Sequence, residues 1–236
     1  MAKFLAFVKE KIILLGGLFG NIKNRNMSEK INKDTCWYNK KFLYKKMNDS
    51  IKNHQPLIEI EHGKVLIELI NMIDNYGLKF IDVGTGGALS NTIVKKSKFY
   101  GCDLSHVIEN ISKHNFPHLD YIPADIIEDD LSFIKEFDIV LLNAIIDIME
   151  SPLEILDKIL KNCNKYVIIH RQDITNIPLL GGFILTKQES YGGFTYHTIL
   201  ERIKFLEIIK NNNFSIIKEL NSGLGLLDNY SFLLKK

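Results

Sequence analysis

Residues 80–87 read Phe80-Ile81-Asp82-Val83-Gly84-Thr85-Gly86-Gly87, an apolar run that breaks into a glycine turn. A short apolar run bounded by glycine predicts a strand buried on both faces. Gly84, Gly86 and Gly87 let the backbone reach positive φ and approach a ligand with no side chain in the way. An acid, Asp82, stands two residues before the first glycine. The residues that follow, Ala88–Lys96, are expected to open a helix whose first amides face back onto the turn.

Outward from this stretch the pattern alternates. Before it, apolar residues at helical spacing (Leu57, Ile60, Val65, Leu66, Leu69, Ile70, Ile73) predict a helix over 57–76, stopped at Gly77. After it, strands are expected at 99–104, 119–122, 137–143, 166–170, 214–219 and 230–234. Helices are expected at 106–114, 131–136, 152–162 and 199–212. Apolar strands alternating with helices argue a mostly parallel sheet covered on both faces, hence an α/β doubly wound, seven-stranded Rossmann-like fold. Residues 1–56 form an N-terminal helical or irregular extension and 57–236 the main domain. In such sheets ligands bind beyond the carboxyl ends of the strands.

The composition is that of a soluble globular chain: 236 residues, 46% hydrophobic and 25% charged. A net charge of +2 falls short of the basic footprint of a nucleic-acid domain. The charge is uneven, with 13 Lys/Arg against 6 Asp/Glu in residues 1–64. Three scattered cysteines (Cys36, Cys102, Cys163) make neither a metal-ligand spacing nor a disulfide framework, so no metal is expected and a reducing, cytoplasmic setting fits. Residues 1–20 are apolar but interrupted by Lys3, Lys9, Glu10 and Lys11, and are too short in their apolar part to span a bilayer. They read as an amphipathic helix packed on the domain, on a partner or on a membrane surface.

Three acids fall at the ends of three successive strands: Asp82, Asp103 and Asp125. Asp103, followed by Leu104, lies 17 residues after Gly86, the distance at which an acid meets a ribose in nucleotide-binding βαβ units. A carboxylate suits a ribose because it accepts hydrogen bonds from two vicinal hydroxyls. Asp125 is placed to accept an adenine amino group while Ile126 packs on the ring. A nicotinamide site would want G-x-G-x-x-G/A, and Leu89 occupies the third position.

With these residues the chain resembles the class I S-adenosylmethionine-dependent methyltransferases. Asp82 through Gly87, including Thr85, are similar to their first motif, Asp103 to their ribose acid, Asp125-Ile126 to their adenine contact. Asn143, closing the 137–143 strand, matches the position beside the methionine part of the cofactor. The resemblance implies S-adenosylmethionine as cofactor and direct displacement of its methyl group. Ala144-Ile145-Ile146 stands where base-modifying amino-group methylases carry Pro-Pro-Tyr/Phe, which points away from nucleic acid.

A small-molecule acceptor methylated at a hydroxyl, with a saccharide or surface-polysaccharide precursor as the candidate class, is the expectation; a weaker similarity is to methyltransferases of surface-saccharide pathways. Catalytic candidates are His170, at a strand end, and His197, at the start of the 199–212 helix. Arg171, Tyr191, Tyr196, Trp37 and Tyr38 are the candidate substrate-binding residues. Residues 172–197, with Gly181-Gly182 and Gly192-Gly193, read as a long mobile connection. Two other readings stay open here: a non-catalytic nucleotide- or cofactor-binding module of a membrane-associated complex, and a nicotinamide-dependent oxidoreductase.

Overall fold

The computed structural model describes residues 35–38, 40–191, 193–222 and 228–236, and the side chains of these except residues 40–42. The amphipathic helix expected in residues 1–20 lies outside the described residues.

Five parallel strands build the centre: β1 (Lys79–Val83), β2 (Lys98–Asp103), β3 (Asp120–Pro123), β4 (Ile139–Asn143) and β5 (Tyr166–Thr175). They are ordered β3-β2-β1-β4-β5, so β1 is flanked on both sides and the chain reverses direction of travel between β1 and β4. Two C-terminal strands, β8 (Ser215–Asn221) and β9 (Asn229–Lys235), follow, with β9 antiparallel between β5 and β8. This is the seven-stranded sheet the sequence pattern leads one to expect.

The sheet carries two further strands that the pattern reading missed. Residues 172–197 are not a loose connection. They extend β5 to Thr175 and then form an antiparallel hairpin, β6 (Phe183–Ser190) and β7 (Gly193–Glu201). Asp173 pairs with Ile199 of β7 and Asn229 of β9 at once, so β7 takes the edge of β5 that β4 leaves after Asn143. The final helix, α5 (Arg202–Asn211), therefore starts after His197, which lies within β7.

Helices cover both faces. Pro152 opens α4 (Pro152–Asn162), where its missing N–H costs nothing, and Ile155, Leu156, Ile159 and Leu160 of its inner face join the core with Phe205 and Ile209 of α5. On the opposite face, α2 (Glu61–Asn71) buries Leu66, Leu69 and Ile70 against Phe80, Ile139 and Leu141. Helix α2 ends five residues before the expected stop. The Asp74 carboxylate accepts the backbone N–H groups of Lys95, Lys96 and Ser97, tying the chain after α2 to the approach to β2. The same bonds limit the helix expected over 88–96 to a 3₁₀ turn, Leu89–Thr92.

Two elements close the carboxyl end of the sheet. Helix α1 (Lys40–Lys52) repeats Leu43, Met47 and Ile51 every four residues, a single apolar stripe. The stripe packs on α3, a run that opens as α-helix (Ser105–Val107), widens to a π-helix (Ile108–Ser112) and closes at Lys113–Asn115. Among the described residues no helix is long and apolar enough to cross a membrane.

Candidate active site

A cavity of about 500 Å³ opens at the carboxyl ends of β1 to β5, a size usual for a small-molecule site. Its floor is the glycine turn. Gly84 and Gly86 hold φ of 73° and 50°, in the left-handed region that favours glycine. The Gly84 and Thr85 N–H groups donate to the Cys102 carbonyl at 2.8 and 3.0 Å, pinning the turn to β2.

The acids stand around this turn. Asp82 is 2% exposed at the end of β1. Its Oδ2 accepts the Thr85 hydroxyl at 3.2 Å and the Ser90 hydroxyl. Its Oδ1 is buried and has no partner among the described residues. Burial pushes the Asp82 carboxyl up to about 7. Asp103 accepts the Gly86 and Leu104 N–H groups, each at 2.8 Å. Burial raises it to about 6 against the pull of those two bonds. Asp125 accepts the Ile127 N–H at 2.9 Å and the Tyr38 hydroxyl at 2.9 Å. All three acids line the cavity, as do Gly84 to Gly87, Leu104, Ile126 and Asn143.

The opposite wall comes from chain segments outside the strand-end pattern. Residues 35–38 lie as a strap across the opening. The Cys36 N–H donates to the Phe194 carbonyl at 2.8 Å and Trp37 Nε1 to Thr195 Oγ1 at 3.1 Å. Trp37 also meets Tyr191, at the hairpin tip, with ring centroids 5.5 Å apart. The strap and the hairpin thus cover the cavity together, and Trp37, Tyr38, Tyr191 and Arg171 all line it.

The histidines behave differently. His170 is 1% exposed and does not line the cavity. Its Nδ1 meets Ser231 Oγ at 2.7 Å, and that hydroxyl meets Ser222 Oγ at 2.6 Å. Its Nε2 lies 3.5 Å from Nδ1 of His62, which does line the cavity. Burial, with the Arg171 charge, holds His62 down at about 4, so it is neutral near pH 7. His197 also stays off the cavity, its Nε2 paired with Asp173 at 2.8 Å, a bond that raises its pKa. Tyr196 is 2% exposed, packed in the hairpin beside Phe194 and away from the cavity.

His62, Ser50 and Gln188 are cavity residues that pattern reading missed. His62 and Ser50 come from helices that precede β1, where no motif spacing ties them to the strand ends. Gln188 alternates with Ser190 along β6, a period-2 signal that would have placed both on one face had the hairpin been recognised.

No protein-family model matches the chain, and no curated protein matches it in sequence. Solved structures do match. A S-adenosylmethionine-dependent methyltransferase from Clostridium acetobutylicum aligns at a TM-score of 0.55 and 9% identity, over 81% of this chain and 97% of that one. An amino pentose methyltransferase of calicheamicin biosynthesis from Micromonospora echinaspora, solved with bound S-adenosylmethionine, aligns at 0.53 and 11%, over 78% and 92%. Magnesium protoporphyrin IX methyltransferase from Synechocystis PCC 6803 aligns at 0.53 and 12%, over 74% and 77%. The chain therefore has the class I S-adenosylmethionine-dependent methyltransferase fold.

Proposed function

We propose that the chain is a S-adenosylmethionine-dependent methyltransferase acting on a small molecule, at a hydroxyl of a saccharide or related oxygen-rich acceptor. The observation that carries this reading is the two-sided cavity: acids and glycine turn on one side, an aromatic and polar wall on the other. The residues present fit the cofactor. The unpartnered Oδ1 of Asp82 is suited to an ammonium group, and Asp103 keeps lone pairs free for ribose hydroxyls beyond its two backbone bonds. Asp125 and Ile126 would hold the adenine, and Asn143 would stand by the methionine part. When bound, S-adenosylmethionine supplies a methyl group already activated on a sulfonium.

The chain's own work is then orientation and proton transfer. Trp37 and Tyr191 would flank the acceptor, and the strap and hairpin would keep water out. His62, neutral and facing the cavity, would take the hydroxyl proton, positioned by His170 behind it. His170 thus serves this reading as a positioning residue, and His197 holds β7 to β5. Neither the nicotinamide reading nor the non-catalytic reading has a feature of this site in its favour.

The test is transfer of labelled methyl from S-adenosylmethionine into a fractionated extract of the cells that make the protein. Label in the low-molecular-weight, periodate-sensitive fraction is expected. Label confined to RNA or protein would overturn the small-molecule reading.

A further inference from the structure

Arg171 sits at an unusual point of the backbone. It follows His170 where the pairing of β5 with β9 slips between Ile169 and Gln172. Its φ is 64°, in the left-handed region, where glycine would be the unstrained choice. A residue other than glycine held there costs of order 1 kcal/mol. At this bulge a long, permanently charged side chain is retained in spite of that cost.

The side chain turns to the cavity. Its Nε donates to Asn143 Oδ1 at 3.2 Å, which fixes the plane of the guanidinium beside the end of β4. Among the described residues no carboxylate pairs with its two terminal nitrogens. The Asp147 carboxylate is near enough to favour the charge but does not form an ion pair with it, and burial works the other way, lowering the Arg171 pKa. Of the described residues lining the cavity, Arg171 carries the only permanent positive charge. The three carboxylates of the cavity all stand on the other side, at the ends of β1 and β2 and just past β3. Around Arg171 the wall is neutral: Ser50, His62, Tyr191 and Asn143. Asp147, which does not line the cavity, favours the charge from a distance and leaves the terminal nitrogens without a direct ion pair; a planar fork with two open N–H edges matches a carboxylate or a phosphate.

We infer that the acceptor carries an oxyanion, a carboxylate or a phosphate, held by the Arg171 guanidinium at the β5 end of the cavity. The inference rests on the methyl-transfer reading above only for the word acceptor; the anion site itself stands on Arg171. The anion is an anchor rather than the reacting atom. It fixes the acceptor against the β5 wall, between the guanidinium and the Trp37–Tyr191 pair, and selects acidic molecules over neutral ones of the same shape.

The test uses the whole chain, with and without S-adenosylhomocysteine, and small probes at constant ionic strength. Acetate is compared with its neutral isostere acetamide, and inorganic phosphate with chloride. Thermal shift and the Arg171 Nε–H resonance are both read. Saturable effects of acetate or phosphate are expected, with none from acetamide or chloride, and the stronger oxyanion names the anchor's chemistry. Arg171→Gln should weaken that binding at least tenfold while leaving S-adenosylhomocysteine affinity within twofold. Should Arg171→Gln fail to fold, Arg171→Lys, which keeps the charge, and the wild-type resonance shift decide the matter. Equal binding of acetate and acetamide, no oxyanion binding, or unchanged oxyanion binding in Arg171→Gln would overturn the inference. So would a parallel tenfold loss of S-adenosylhomocysteine affinity, which would assign the guanidinium to the carboxylate of the cofactor. Oxyanion binding with no S-adenosylhomocysteine binding would keep the anion site and sink the methyl-transfer reading instead.

Discussion

The Tyr38 hydroxyl donates to the Asp125 carboxylate at 2.9 Å, joining the N-terminal strap to the loop after β3 across 87 residues of sequence. Because Asp125 also accepts the Ile127 N–H, both of its oxygens are engaged on the side where adenine is proposed to lie. The strap would then lie over the nucleotide as well as over the acceptor. Tyr38→Phe removes one hydrogen bond to a charged group, worth about 1.5–3 kcal/mol. We expect S-adenosylhomocysteine to dissociate roughly tenfold faster from this variant, at about 1.4 kcal/mol per decade, as read by stopped-flow fluorescence of Trp37. An unchanged rate would free the strap of any role in retention.

Burial raises three carboxyls of the site region: Asp82 to about 7, and Asp103 and Asp147 to about 6. Groups whose pKa is higher folded than unfolded favour the fold at low pH, and that contribution is lost as pH climbs through the folded values. His62 and His170, held neutral by burial, act in the opposite direction over the same range, so the melting temperature of the wild type should fall between pH 5 and 7.5 relative to that of Asp82→Asn, in which the histidines are unchanged. An ammonium group beside Asp82 favours its ionised form. The stabilisation by S-adenosylhomocysteine should accordingly be larger at pH 8 than at pH 5.5. Calorimetric scans at the two pH values measure both effects, and a ligand shift that shrinks with pH would contradict the placement of the ammonium.

Gly84 tests the floor of the cavity. Its φ is 73°, and a Cβ there would come within 2.4 Å of Ile145 Cδ1. The backbone strain alone costs of order 1–3 kcal/mol. Gly84→Ala should lower stability by more than that amount in denaturant unfolding, because Ile145 must also give way. Gly77→Ala, with φ of 81° but no atom within 4 Å of the added Cβ, should cost less. Equal costs at the two positions would mean that the Ile145 contact adds nothing.

His62 carries the acid–base part of the reading. Burial comes first among the causes that hold it near 4, and the Arg171 and His54 charges add to it. An oxyanion on Arg171 would offset the second of these causes and raise the His62 pKa. Histidine resonances followed through a pH titration, with and without phosphate, should show that upward shift. Its absence would separate His62 from the Arg171 site.

The wall of the cavity built on the glycine turn was legible because it is local in sequence. Asp82 and Asp103 lie in the last residues of β1 and β2, the glycine turn and Asp125 just beyond β1 and β3, and parallel topology brings strand ends together whatever the helices do. The opposite wall was legible only in part: Trp37, Tyr38, Arg171 and Tyr191, the expected substrate residues, line the cavity, but the way they meet one another and His62, Ser50 and Gln188 arises only through tertiary contacts. His62 and His170 lie 108 residues apart, and Trp37 meets Tyr191 across a longer span still. The hairpin escapes the strand–helix pattern for a different reason. Tyr191-Gly192-Gly193 marks a turn between two runs rich in Thr, Ile and aromatic residues, a hairpin signal. Glycine pairs in a long segment suit a hinge as well as a hairpin turn, and the alternation on either side of them decides for the hairpin. The helix expected at His197 failed because β-branched Thr195, Thr198 and Ile199 pack well on a pleated surface.

The central claim is that the cavity at the strand ends binds the methyl donor through Asp103. Isothermal titration of S-adenosylhomocysteine into the wild-type chain and into Asp103→Asn tests it most directly. The substitution keeps the shape of the side chain and an acceptor for one backbone N–H while removing the charge. Micromolar binding to the wild type, weakened about tenfold or more in Asp103→Asn, is the expected result. No heat at millimolar ligand, or equal affinity in the two proteins, would contradict the account.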